Sequence, residues 1–120
     1  MWQRLLNWLG AGREEDEIVD YFVKKSTQAL LQERYGTAVR YIDRALEFSP
    51  KSSRLHVARG IIYLEGIHNL AEALDCFKRA AQLPANGDRE NEMARERARE
   101  LIREVMQSAK GEDEDDNKGT

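Results

Sequence analysis

Residues 35–50 read YGTAVRYIDRALEFSP and residues 69–84 read NLAEALDCFKRAAQLP. Laid over one another, Tyr35, Ala38, Ile42, Ala45 and Leu46 fall on Leu70, Ala73, Phe77, Ala80 and Ala81 at a shift of 35 residues, and Pro50 falls one place from Pro84. Within each stretch the apolar residues recur at spacings of three and four, which puts them on one face of a helix, and the proline ends that helix. The small alanines let two helices approach closely, while Tyr41, Ile42 and Phe77 fill the space beside them. A repeat of this length is the mark of stacked helical hairpins, because one hairpin cannot cover its apolar face alone.

Each of these helices has a predecessor. Ile18, Phe22, Ala29 and Leu30 carry a helical pattern to about Arg34, behind the acidic run Glu14–Glu17, whose charges suit the exposed N–H groups of a first turn. Tyr35 and Gly36 mark the turn, and Thr37 is the expected cap of the next helix, to about Ser49. Ser53 is the expected cap of a fourth helix carrying Leu55, Ala58, Ile61, Ile62 and Leu64, and Asn69 followed by Glu72 reads as a capping box for a fifth. Beyond Pro84 and Ala85–Asp88, a last helix from about Arg89 to Ala109 carries Met93, Ala94, Ala98, Leu101, Ile102, Val105 and Met106. At the other end, Trp2, Leu5, Leu6, Trp8 and Leu9 share one face of a short amphipathic helix, set off by Gly10 and Gly12.

Charge narrows the function. The 120 residues carry 19 Lys and Arg against 22 Asp and Glu, and the surplus of acid lies after Ala109, in Glu112, Asp113, Glu114, Asp115 and Asp116. A neutral body with an acidic tail offers no positive field to gather a phosphate backbone, so nucleic acid is not an expected partner. That tail has almost nothing apolar to bury and is expected to be disordered. No run of eighteen apolar residues suggests a spanning helix, and the opening segment is too short and too weakly basic for a secretory signal.

At this point the sequence resembles the tetratricopeptide repeat family, through YGTAVRYIDRALEFSP and NLAEALDCFKRAAQLP, over about residues 19–84. The second unit also resembles the related Sel1-like repeats through Gly60, Tyr63, Gly66, Ala73, Ala80 and Ala81. It departs from the family pattern at Ser26, where Gly or Ala is commoner, and at His56 and Arg59, where an aromatic residue and Leu are more typical. The resemblance implies an all-α fold, a short α-solenoid of two hairpins over about 19–50 and 53–84 within a domain spanning 14–109. An amphipathic helix at 1–10, a capping helix at about 89–109 and a disordered acidic tail at 110–120 complete the expectation.

In such proteins ligands lie against the first helices of the hairpins. Matched by repeat phase, that face exposes Asp20, Val23, Thr27, Leu30 and Leu31 in one unit and Arg54, Val57, Ile61, Leu64 and Glu65 in the other. It is largely apolar and lacks the Lys and Asn set with which some family members clamp a peptide carboxylate. The expected role is a non-catalytic, cytoplasmic adaptor or chaperone-like assembly module that binds an apolar helix or peptide in this groove. The chain also supplies its own candidate ligand, since Met1–Leu9 matches the apolar character of Val23, Leu30, Val57 and Ile61. Two alternatives are a membrane-peripheral assembly factor attached through Trp2, Leu5, Leu6, Trp8 and Leu9, and a structural subunit in which the terminal helices mediate self-association and the groove is never free.

Nothing in the pattern points to catalysis, a cofactor or a metal. Cys76 sits inside a helical stretch and reads as a small buried hydrophobe, His56 as a polar variant of a packing position and His68 as a turn residue. The acidic residues Glu65, Asp75, Glu92, Glu96 and Glu100 read as solvated helix faces, and there is no phosphate-loop or dinucleotide-binding glycine pattern.

Overall fold

The computed structural model describes Leu5, Trp8 and residues 16–118, with side chains as far as Lys110. Trp2, Leu6, Leu9 and the Gly10–Gly12 connection lie outside the described residues. Every regular element among those described is helical: α1 (Glu17–Leu31), α2 (Tyr35–Phe48), α3 (Ser53–Ile61), a π-helical turn (Ile62–Ile67), α4 (Leu70–Gln82) and α5 (Arg89–Lys118). α1 packs on α2 and α3 on α4, forming two hairpins; α5 packs on α4 and also on α3, and α2 meets α3 between the hairpins. Ala38, Ala45, Ala73 and Ala80, the residues expected at helix crossings, are all fully buried in one core with Ile42 and Phe77.

The helix ends follow local chemistry that differs in detail from the expected caps. The Asp16 carboxylate accepts from the Ile18 N–H at 2.9 Å and starts α1. The turn after α1 falls at Gln32–Arg34 rather than at Tyr35 and Gly36: Glu33 takes a positive φ of 59°, and the Arg34 N–H reaches the Ala29 carbonyl at 2.9 Å. α2 therefore begins at Tyr35 with Arg34 at its cap, and Thr37 does not cap it. At α3 the cap is Ser52, whose hydroxyl accepts from the Leu55 N–H at 3.2 Å. Ser53 is free to turn inward, where its hydroxyl donates to the Ala80 carbonyl at 3.0 Å. Asn69 caps α4 by accepting from the Glu72 N–H at 3.1 Å, and Asp88 caps α5 by accepting from the Glu90 N–H at 2.9 Å.

Two apolar stripes are corrected. α1 buries Val19, Val23, Ser26, Ala29 and Leu30 and leaves Ile18 exposed and Phe22 half-buried. α5 buries Ala94, Ala98, Leu101 and Val105, a row at steps of four, three and four, while Met93 and Met106 stand 56% and 55% exposed at its edges. A narrow stripe suffices because α5 has its other flank in solvent. Its backbone also stays helical to Lys118, past the boundary expected at Ala109. A lone Gly111 costs a helix only about 1 kcal/mol, and no proline follows to break it.

The π turn has a cause in the sequence. Ser26 and Gly60 stand 34 residues apart, yet Ala38 and Ala73 stand 35 apart, so the second hairpin holds one residue more than the first. That residue is absorbed by widening the end of the helix over Ile62–Ile67. His68 then reverses the chain at φ 62°, and its N–H and that of Asn69 both close on the Tyr63 carbonyl.

Ser26 and Gly60, equivalent by repeat phase, solve the same close approach in two ways. Ser26 is fully buried and its hydroxyl donates to the Ala38 carbonyl at 2.9 Å, tying α1 to α2. Gly60 has no side chain because the Phe77 ring of α4 lies where a Cβ would stand.

Candidate interaction face

The ten residues expected to line the groove divide sharply. Val23, Leu30, Val57 and Ile61 come together in one cluster, but they are buried, as is Arg54. Asp20, Thr27, Leu64 and Glu65 are half-buried, and Leu31, 66% exposed, is turned out to solvent. The expectation that repeat phase exposes all ten is therefore corrected. Asp20 spends its carboxylate on Lys24 at 2.9 Å, and the Thr27 hydroxyl donates back to the Val23 carbonyl at 3.0 Å. Neither is aimed at a ligand.

Part of the cover comes from the start of the chain. Leu5 is 0% exposed and belongs to the same core cluster as Val23, Leu30, Val57 and Ile61, and Trp8, one helical turn on, packs against it. The Trp8 indole Nε1–H donates to the Arg54 carbonyl at 3.1 Å, a contact across 46 residues of sequence. An indole buried on its apolar body needs one acceptor for its N–H, and a helix carbonyl keeps a second lone pair for it. The Arg54 guanidinium lies apart, in a hollow between the Ser49–Ser52 connector and the start of α5; burial pulls its pKa below the ordinary range and Glu90 pulls it back.

A polar cluster forms around Arg59, one of the departures from the repeat pattern, and joins α2, α3 and α4. Arg59 donates from Nε to the Asp43 carboxylate at 2.7 Å and from Nη1 to the Cys76 sulfur at 3.0 Å, with its guanidinium carbon 5.0 Å from the centre of the Tyr63 ring. Cys76 is buried as expected, but it does have a cationic neighbour. Burial nevertheless pushes its thiol pKa up, against the opposing pull of Arg59. The spacing between positions 59 and 76 holds no local signal for this pair, since it arises only when α3 and α4 pack. Among the described residues no three His, Cys, Asp or Glu side chains converge to hold a metal ion.

His56 is 8% exposed, with Nε2 3.1 Å from the Pro50 carbonyl. Burial lowers its pKa from the ordinary 6.5; the Pro50 carbonyl and Asp43 favour the charged ring, while Arg79 and Arg59 oppose it. A folded-state pKa below the unfolded value means that the unfolded chain binds the extra proton first. This contribution is constant above pH ~6.5 and is lost as the pH falls from there through the lowered folded value. Urea unfolding at pH 7.5 and 5.5 should show a loss of stability in the wild type that shrinks in His56→Gln. An equal loss in both chains would place the titration elsewhere.

Compared with family models, curated proteins and solved structures, the chain matches none. The repeat likeness thus stands on the residues of this chain. Among the described residues no helix is long and apolar enough to cross a membrane.

Proposed function

We propose that the chain is a non-catalytic protein-interaction module, a short solenoid of two tetratricopeptide-like hairpins capped by α5, that takes an apolar helix against α1 and α3. The observation that carries this reading is Leu5 and Trp8. A helical pair of apolar side chains already sits on that face, held by the bond from the indole to the Arg54 carbonyl. Packing of α2 on α3 between the hairpins, and of α5 on both helices of the second, is what supports the solenoid. Attachment of the opening segment to a membrane is the weaker alternative, because two of its five apolar residues, Leu5 and Trp8, turn inward.

The buried residues of this face cannot serve as probes, since a charge at Leu30 or Ile61 would break the core. Leu31, the exposed last residue of α1, serves instead. A photo-crosslinking residue at position 31 of the full chain should capture a partner in native lysate, and one at the exposed position 106 on α5 should not. Equal capture at both positions, or none at 31, would overturn the reading.

A second reading, self-association, draws on a different surface. Phe22 stacks on Phe48 with ring centres 6.2 Å apart and lies 6.4 Å from Tyr41 and 5.3 Å from Tyr21, and Phe48 and Tyr21 are half exposed. An aromatic surface of this kind on α1 and α2 suits contact with a second protein surface. A monomeric mass in sedimentation at high concentration would remove this reading.

A further inference from the structure

Taking the face on α1 and α3 as a ligand face, which rests on the reading above, its present occupant specifies what else it accepts. Leu5 and Trp8 lie three residues apart, so both project from one side of a helix. They meet two different demands. Leu5 is fully buried in the core cluster that holds residues of both hairpins, and Trp8 needs an acceptor for its indole N–H, which it finds at the second lone pair of the Arg54 carbonyl in a bond that Phe or Leu could not make.

We infer that this face recognises, in exchange for its own segment, an amphipathic helix of another protein bearing Leu and Trp three positions apart, with the indole N–H donating to the Arg54 carbonyl. The requirement for an indole separates this ligand from a merely apolar helix. The resident segment is a tethered competitor, and a short tether gives it an effective concentration in the millimolar range. Free ligands must therefore bind the intact chain weakly and a chain with a weakened resident segment much more tightly.

The probe is a fluorescein-labelled peptide with the sequence of residues 1–12, added to full-length chains and followed by anisotropy. It should bind the Trp8→Ala chain at least tenfold more tightly than the wild type. Replacing its Trp at position 8 by Phe should weaken binding severalfold, and replacing its Leu at position 5 by Asp should abolish it. Circular dichroism establishes that the Trp8→Ala chain is folded; if it is not, Trp8→Phe, which keeps most of the buried shape, takes its place.

Equal binding of the Trp and Phe peptides would overturn the indole requirement and leave the interaction reading standing. No binding to a folded variant would overturn the inference, while crosslinking at position 31 tests the reading independently. A wild-type chain that sediments as a dimer, and becomes monomeric on Trp8→Ala, would show that the segment comes from a second copy and would overturn exchange with a separate partner.

Discussion

Gly60→Ala should destabilise the protein by about 1–3 kcal/mol, the usual cost of forcing extra atoms into a packed core. In an exposed helix the same change gains about 1 kcal/mol, so the sign of the effect is itself diagnostic. A Cβ at position 60 would stand 2.7 Å from Cδ1 of Phe77, and Phe77 is fully buried with no free side to swing toward. Removing the ring by Phe77→Ala should cost more, about 3–5 kcal/mol, through lost burial and the cavity left behind. The two positions should couple. In a chain already carrying Phe77→Leu, adding Gly60→Ala should cost distinctly less than in the wild type, with an interaction energy of about 0.5–3 kcal/mol. Urea unfolding with unchanged slope measures all four chains. A stabilising Gly60→Ala in the wild type would mean that α3 and α4 do not approach as described.

The second large effect is expected at the start of the chain. Leu5→Ala should cost about 2–5 kcal/mol, the range for a fully buried leucine. At a loose surface segment it would change stability by no more than about 0.5 kcal/mol. Trp8→Phe should cost less, about 0.5–1.5 kcal/mol, since most of the packing survives and one hydrogen bond is lost. Denaturant midpoints and the heteronuclear NMR signal of the Trp8 indole N–H give two independent readings. A Leu5→Ala chain as stable as the wild type would detach the opening segment from the core and remove the observation on which the proposed function stands.

Much of the helical architecture is legible in the sequence because it is written at spacings of three and four. Ala38 with Ala45 and Ala73 with Ala80 announce the crossings of both hairpins, and all four are buried there. The missed details are decided by competition between neighbours. Ser52 and Ser53 are equally good caps by type, and only the carbonyl of Ala80, brought close by folding, draws Ser53 inward. Val19 replaces Ile18 in the core because a helix advances 100° per residue and a one-residue shift of the stripe changes which side chain is covered.

The burial of the candidate face was not legible in the sequence. Repeat phase groups Val23, Leu30, Val57 and Ile61, and all four lie buried in the core cluster. It carries no information on whether a segment far away in sequence lies over them. The Arg59 contacts with Asp43 and Cys76 were hidden for the same reason, each partner being on a different helix.

The π turn at Ile62–Ile67 has one more consequence. A surplus residue held inside a helix leaves no loop behind, and everything after it keeps its alignment with the first hairpin. Shortening the chain by one residue there would restore ordinary helical winding and return Phe77 to the same seat, so this segment is where hairpins of unequal length can be traded without disturbing their neighbours.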